Sequence, residues 1–478
     1  MKKIIVILTV VLISLTSVYG QYASEALRYS HILQGGTSRA NAMSGSFNGL
    51  GGDAGSLYFN PAGIGVYRSF ELSVTPSFEF QNSKGYFLEN NNSDFEIGAN
   101  INSFSVISSI KKNENNFNFG ISYTKLNNFD ENILIKGINN SGSMTDWFAA
   151  RGKNTFYEKL DDYYSNLAWN GYLINPTDST ATNYVSAYNQ YGEEQRLQIS
   201  RSGYQGEYSF SLGGSIGRKL FLGATLGLQS IRFNERKITT ETDVDDVIDH
   251  FNMFEFKENL KVSGTGVNFK FGFLVSPIEW VRFGVAFHTP TFYYLEENYS
   301  TSLYASTDQD MEKESPEGGF EYQLNTPFRA NVSAGFIVKN FALINLEYEY
   351  LNYTFAKLRS NDGSLEKDNE EIRDSYKSGN NVRLGLEYIV TSMLSLRAGA
   401  GFYSSPYKNP QTNKTFTLTY SAGLGLKIGQ YTFLDFSYTY YDLGKSLYYL
   451  YDSYGVTSPL ASINNIRNRF TLTLGFKF

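Results

Sequence analysis

The chain contains no cysteine among its 478 residues. That excludes a disulfide framework, a thiolate zinc site, an iron–sulfur cluster, a cysteine nucleophile and a lipid-modified N-terminal cysteine. Proline is scarce, at 10 residues, and histidine scarcer still, at 3. His31, His250 and His288 have no spacing that suits a zinc site. Positive charge is also in short supply: the formal balance is -6, and it becomes more negative once Lys2 and Lys3 leave with a leader. No basic footprint for nucleic acid exists. Beyond residue 20 no stretch approaches the roughly 20 apolar residues of a membrane-spanning helix. In their place stand 43 glycines, 37 tyrosines and 37 phenylalanines. That mixture does not suit ordinary α/β domains and favours one large all-β architecture.

The first twenty residues read as a secretory signal: a cationic Met1-Lys2-Lys3, an apolar core from Ile4 to Val18, and small residues before a cleavage point ahead of Gln21. After them, alternation with a period of two dominates. In the segment from Phe70 to Phe80, Phe70, Leu72, Val74, Pro76, Phe78 and Phe80 share one face, and Glu71, Ser73, Thr75, Ser77 and Glu79 the other. The same pattern recurs from Phe328 to Phe336, from Leu394 to Phe402 and from Phe433 to Tyr440. These runs are about ten residues or more, longer than sandwich strands and long enough for a tilted membrane crossing.

Such segments start near residues 69, 97, 116, 203, 218, 257, 278, 320, 341, 379, 393, 415, 430 and 464. The reading is therefore an all-β, transmembrane antiparallel β-barrel of about 14 strands. Tight connections at 111–116, 217–218, 276–277, 339–340, 391–392 and 429–430 alternate with mostly longer ones, as in outer-membrane barrels with short periplasmic turns and longer outer loops. The last strand, from Asn468, turns Phe470, Leu472, Leu474, Phe476 and Phe478 to one face and ends the chain on Phe478. It resembles the C-terminal signal read by the barrel-assembly machinery. Tyr348, Tyr350, Tyr353, Tyr438, Tyr440 and Tyr441 suit the interfacial girdle. The expected surroundings are outer-membrane lipids in the cell outer membrane of a Gram-negative bacterium.

Residues 21–66 do not alternate. Gly35, Gly36, Gly45, Gly49, Gly51, Gly52 and Gly55 suggest compact turns and short helices that the lumen of the barrel at 67–478 has room to hold, as an N-terminal hatch or plug. The run from Ser38 to Phe47, Gly51-Gly52-Asp53, and Asn60-Pro61-Ala62-Gly63 just before the first strand resemble the FadL/TodX-type outer-membrane transport family. That resemblance implies a fourteen-strand barrel with an N-terminal hatch that moves long-chain fatty acids or aromatic hydrocarbons. It makes Asn60, Pro61, Ala62 and Gly63 the candidates for fixing the hatch and its gating.

No catalytic constellation is marked, and the expectation is a non-enzyme without cofactor or metal. His31 or a hatch tyrosine as a haem ligand is the alternative to a hydrogen-bonded plug residue. Asp243, Asp245, Asp246 and Asp249 lack EF-hand spacing, as do Asp362, Asp368, Glu370 and Glu371, so both groups read as solvated faces where Ca²⁺ binding would be weak. The alternation turns Lys270, Arg282, Arg329, Arg383 and Arg397 into the lumen beside Glu71, Glu79, Glu347, Glu349, Glu387 and Asp435. Mixed signs there read first as pairs holding a plug. Second, Arg282, Arg329, Arg383 and Arg397 are candidate contacts for a ligand carboxylate. The connection at 127–202 is the longest and carries Trp147, Phe148, Phe156 and Trp169, either as a cap over the mouth or as a greasy capture site for a hydrophobic small molecule.

The first functional reading is a passive transporter for hydrophobic compounds. A general diffusion porin, a surface adhesin using the long loop, and a haem- or ligand-binding receptor stand as alternatives.

Overall fold

The computed structural model describes residues 21–478 apart from positions 34, 113, 178, 189, 340, 410–415 and 452–454. The leader expected at 1–20 lies outside the described residues. The wall starts with β1 (Glu71–Phe87), β2 (Asn90–Lys112) and β3 (Asn115–Asn128). A short outer strand β4 (Glu131–Asn139) and a two-stranded ribbon of β5 (Ile174–Pro176) and β6 (Tyr184–Ser186) precede β7 (Glu193–Ile216), β8 (Leu220–Thr242) and β9 (Phe251–Ile278). One crossing is divided into β10 (Val281–His288) and β11 (Phe292–Thr307). The next, after the outer β12 (Asp310–Glu314), is divided into β13 (Gly318–Asn325) and β14 (Arg329–Val338). β15 (Ala342–Asn352) continues past a 3-10 turn into β16 (Lys357–Arg359). The wall finishes with β17 (Ser378–Ile389), β18 (Leu394–Ser404), β19 (Phe416–Ile428), β20 (Thr432–Tyr449) and β21 (Leu460–Lys477).

All pairings are antiparallel, and β21 returns to β1 with Phe476 opposite Leu72 and Asn465 opposite Ser83, so the barrel of fourteen crossings closes. Closure leaves no sheet edge, the condition for a strand structure in hydrocarbon. The divisions fall at Pro290 and Pro327 on neighbouring crossings, where a residue without an N–H cannot donate to the ladder.

The outward faces mark the membrane band. On β7 they read Glu194, Arg196, Gln198, Ser200 and Ser202 and then change to Tyr208, Phe210, Leu212 and Ile216; on β8 they change from Leu222, Leu226 and Leu228 to Arg232, Asn234 and Arg236. On β9, Lys261, Ser263 and Thr265 give way to Val267, Phe269, Phe271 and Phe273. The ladders thus rise well above the band with polar outer faces. This is why β2 begins at Asn90 and β7 at Glu193 rather than near 97 and 203 as the apolar alternation suggests. It also shortens the long connection: within 127–202, β4 pairs with the outer part of β7, and only 140–192 leaves the wall. No helix among the described residues is long and apolar enough to cross a membrane.

One seam interrupts the wall ladders. Pairing of β2 with β3 ends at Ser103 and Thr124, so among the described residues Asn90–Asn102 pairs only with β1. Its other edge meets β4 through side chains: Asn132 Nδ2 donates to Glu96 Oε2 at 2.6 Å and Asn92 Nδ2 to the Lys136 carbonyl at 3.1 Å.

Candidate functional site: the lumen and the segment inside it

Four short helical pieces precede the wall: α1 (Gln21–Ser30), α2 (Ser38–Ala42), α3 (Ser56–Phe59) and a 3-10 turn (Pro61–Val66). They bond to inward-facing groups on well-separated strands. Ser38 N donates to Thr473 Oγ1 on β21 at 2.7 Å, Ser44 Oγ meets Ser421 Oγ on β19 at 2.8 Å, and Ser46 Oγ donates to the Asn345 carbonyl on β15 at 3.0 Å. Above them Ala23, Ala26, Leu27 and Tyr29 of α1 pack with Ile231, Phe233, Tyr293, Leu295 and Leu351.

Asn60 caps the 3-10 turn. Its Oδ1 accepts from Ala62 N at 3.1 Å, Pro61 sits in the first turn where no N–H is needed, and its Nδ2 donates to the Asn48 carbonyl at 3.0 Å. Gly63 N donates to the Asn60 carbonyl at 2.9 Å, and the Gly63 carbonyl accepts from Gly52 N at 3.1 Å, where Gly51 and Gly52 take the left-handed backbone at φ +64° and +73°. This turn lies in a slot of wall glycines. A Cβ on Gly223 would collide with Pro61 backbone, and one on Gly272 with Asn60 Oδ1 and Ala62 N.

Of the lumenal charges picked out by the alternation, all but Arg282 form ion pairs. Arg383, fully buried, pairs with Glu347 and lies 3.7 Å from Glu349. Glu347 also accepts from the backbone N–H of Phe47 and Asn48, each at 3.3 Å, and from Asn48 Nδ2 at 2.7 Å, which makes it an anchor for the segment. Arg397 joins Glu387 at 2.9 Å and Asp435 at 2.6 Å, and Arg39 of α2 joins the same Glu387 at 2.7 Å. Arg329 bonds the Ser30 carbonyl and Glu349, and Arg282 the Leu50 carbonyl. All four arginines considered for a ligand carboxylate therefore have partners within the chain. Lys270 pairs with Glu207, and His288 Nε2 donates to the Phe59 carbonyl at 3.0 Å.

The outer mouth carries a folded cap. Its helices α4 (Met144–Arg151) and α5 (Ser165–Asn170) place Met144, Trp147, Phe148, Leu167 and Ala168 in one core with Ile133, Leu197, Phe254, Phe256 and Ile463 from the strand tops. Trp147 and Phe148 lie inside this core, so the picture of four accessible capture rings is corrected: they are packed because a cap of this size has little else to bury. Only Phe156, 40% exposed, and Trp169, partly buried, keep open surface.

Glu241, at the top of β8 and beyond the apolar band, accepts from Ser143 Oγ and from Met144 N (2.8 Å), holding the N-terminus of α4. Burial, with the Glu193 carboxylate nearby, pushes it up to about 8; burial pushes Glu193 up to about 7. Folding of the cap thus favours the protonated pair. Its contribution is complete below the ordinary carboxylate range and is lost as pH rises through about 7 to 8. Limited proteolysis of 140–192 is expected to be faster at pH 9 than at pH 6, and Glu193→Gln to flatten that dependence. An equal rate at both pH values contradicts this account of the cap.

Two cavities flank the N-terminal segment. The outer one, about 300 Å³, lies beside α1 and is lined both by Leu27, Leu33, Phe129, Phe233 and Leu443 and by Arg28, Arg201, Arg467, Glu131 and Asn465. It reaches the seam through Asn127, Asn128 and Glu131. The lower one, about 400 Å³, faces the short turns and carries Arg39, Asp53, Glu71, Glu387, Arg397, Lys427 and Lys477 beside Leu343, Ile389, Leu426 and Phe433. His31 borders the outer cavity, its ring stacked on Tyr353 at 6.4 Å. Asp243 directs its two oxygens to the N–H of Val247 and Ile248, and no group of three potential metal ligands occurs among the described residues.

Sequence reasoning placed Glu347 in the lumen but did not single it out as an anchor, and it overlooked Gly223, Gly272 and the wall residues of the outer cavity, although it named His31 at its border. The only signal for the glycines was their small size at inward positions of strands.

Residues 179–448 match the family described as outer membrane protein transport protein (OMPP1/FadL/TodX). No curated protein sequence matches the chain. Among solved structures, a Pseudomonas aeruginosa FadL homologue superposes with TM-score 0.58 at 11% identity, over 94% of this chain and all of its own. The Pseudomonas putida toluene transporter TodX gives 0.54 at 10% identity, over 93% and 99% of the two chains. The Ralstonia pickettii toluene transporter TbuX gives 0.51 at 13% identity, over 93% and 99%.

Proposed function

Since the chain belongs to the OMPP1/FadL/TodX family of outer-membrane transport proteins, we propose that residues 21–66 are the hatch of a passive channel for hydrophobic compounds in the Gram-negative outer membrane, and that Asn60, Pro61, Ala62 and Gly63 fix its position. The observation that carries this reading is a closed barrel whose lumen is occupied by its own N-terminal segment, with discrete cavities above and below it. An open aqueous porin would leave that space to water.

The lining of the outer cavity supports one class of solute over the other. Apolar side chains and guanidinium groups line the same chamber, which suits an amphiphile with an anionic head and an apolar tail, such as a long-chain fatty acid, better than a bare aromatic hydrocarbon. Arg28, Arg201 and Arg467 border this chamber, and a ligand carboxylate there would share them with the partners they already hold, Glu25 at 3.7 Å, Glu131 at 2.6 Å and Gln81 at 2.6 Å, as it would share Arg282, Arg329, Arg383 and Arg397 with theirs. The solute's onward route runs sideways through the seam. The wall beside that seam carries the outward Phe95, Ile97 and Ile101, so a solute leaving there keeps apolar contact worth about 25 cal/mol per Å². Phe156 and Trp169 provide first contact outside. Phe233→Asp is expected to weaken binding of a fluorescent fatty acid by about 2 kcal/mol, roughly thirtyfold, by placing a carboxylate against the head or tail. Unchanged affinity contradicts the assignment of this cavity.

Assembly rests on the last strand. Phe478 and Phe70 exchange two backbone hydrogen bonds, at 3.0 and 3.1 Å, at the seam that closes the barrel, and the Phe478 ring is 68% exposed for recognition by the assembly machinery. Deleting Phe478 is expected to lower outer-membrane levels and leave the chain in the periplasm; normal insertion places the signal elsewhere.

A further inference from the structure

The first turn of α1 is surrounded by acid. Asp368 of α6 (Glu366–Ser375), Glu297 of β11 and Glu25 of α1 itself are each 1% exposed. The Asp368 carboxylate faces the backbone N–H groups of Tyr22 and Ala23 without closing a hydrogen bond, and both of its oxygens are without a partner. Glu297, towards which the Tyr22 hydroxyl points, has an Oε2 that accepts no hydrogen bond, and Glu25 Oε1 accepts none either. Some compensation exists: Arg28 stands 3.7 Å from Glu25, and the Tyr322 hydroxyl donates to Glu25. One guanidinium among three buried carboxylates leaves the cluster short of positive charge. The helix is otherwise held well, with the Tyr376 hydroxyl donating to the Ala23 carbonyl at 3.0 Å.

We propose that this carboxylate cluster is the receptor for the α-ammonium group of Gln21, created when the leader is removed, so that processing supplies the cation that locks α1 inside the barrel. The reading rests on cleavage before Gln21 and not on the nature of the transported solute. Gln21 N lies one residue upstream of the N–H that already faces Asp368. A free ammonium at the positive end of its own helix is unfavourable in isolation. Carboxylates placed there offset both the ammonium and the helix dipole, and the ammonium in turn satisfies acceptors that the neutral peptide N–H groups leave open. An uncleaved chain would present an amide at residue 21 and lose the ion pair.

The test uses the mature protein in detergent. Intact mass and N-terminal sequencing are expected to find Gln21 first, with a free amine. Reductive methylation of that amine at neutral pH is expected to be about tenfold slower in the folded barrel than after denaturation. The double variant Asp368→Asn with Glu297→Gln should restore fast labelling and lower the temperature of heat-induced unfolding. Asp368→Glu should keep the protection, which separates loss of charge from loss of fold. A terminus at another residue overturns the proposal. So does a terminus cyclised to pyroglutamate, which carries no charge, equal labelling rates in folded and denatured protein, or a double neutralisation that changes neither readout.

Discussion

Gly272→Val is expected to unseat the N-terminal segment and let ions through the reconstituted barrel. The side chain would enter the space held by Asn60 Oδ1 and Ala62 N, and Gly223, its partner across the β8–β9 ladder, already lies against the Pro61 backbone beside it. Neither neighbour is the free end of a flexible side chain, so the turn must move as a unit. Overpacking of this kind costs about 1–3 kcal/mol, which raises the unseated population by roughly 5- to 150-fold. Single-channel recording reads that population as open events, while the wall, whose hydrogen bonds close without the segment, stays assembled. Gly142→Ala is the control, because nothing lies within 4 Å of a Cβ there. Equal conductance in the two variants would show that the turn does not depend on the glycine slot.

The second large effect belongs to Arg383. It is fully buried between Glu347 and Glu349, and Glu347 also holds the N–H groups of Phe47 and Asn48. Arg383→Met leaves Glu347 without its guanidinium and Glu349 with Arg329 alone, and losing one partner of a buried ion pair costs about 3–5 kcal/mol. A fall in the urea midpoint of the purified barrel measures it. Adding Glu347→Leu should recover part of the wall's stability yet raise the leak, since the segment then loses its acceptor. If the double variant is both as stable and as tight as the parent, Glu347 does not anchor the segment.

The two effects differ in how far the sequence foretells them. The outward faces are legible because alternation within one strand is local: Phe269, Phe271 and Phe273 declare a lipid-facing surface wherever their neighbours lie. The polar rise of the strands above the band is not legible by the same rule, since there the contrast inverts: Arg196 and Ser200 face out while Leu197 and Ile199 face in. The lumen is harder still. Glu347 and Asn48 are 299 positions apart, and only closure of the barrel brings them together. Glycines at 223 and 272 look like ordinary strand glycines until the turn at Asn60 is laid against them. The aromatic density of the cap was visible, but whether rings face a core or a groove depends on Phe254, Phe256 and Ile463 arriving from distant strands.

The central claim is that the barrel, with its N-terminal segment seated, passes an apolar solute and excludes ions. The most direct measurement places the purified protein in liposomes and records, on the same preparation, ionic conductance across the membrane and transfer of a fluorescent long-chain fatty acid to an acceptor inside. The account predicts protein-dependent transfer with little steady conductance. Large steady conductance with the segment intact, and no protein-dependent transfer, would contradict it.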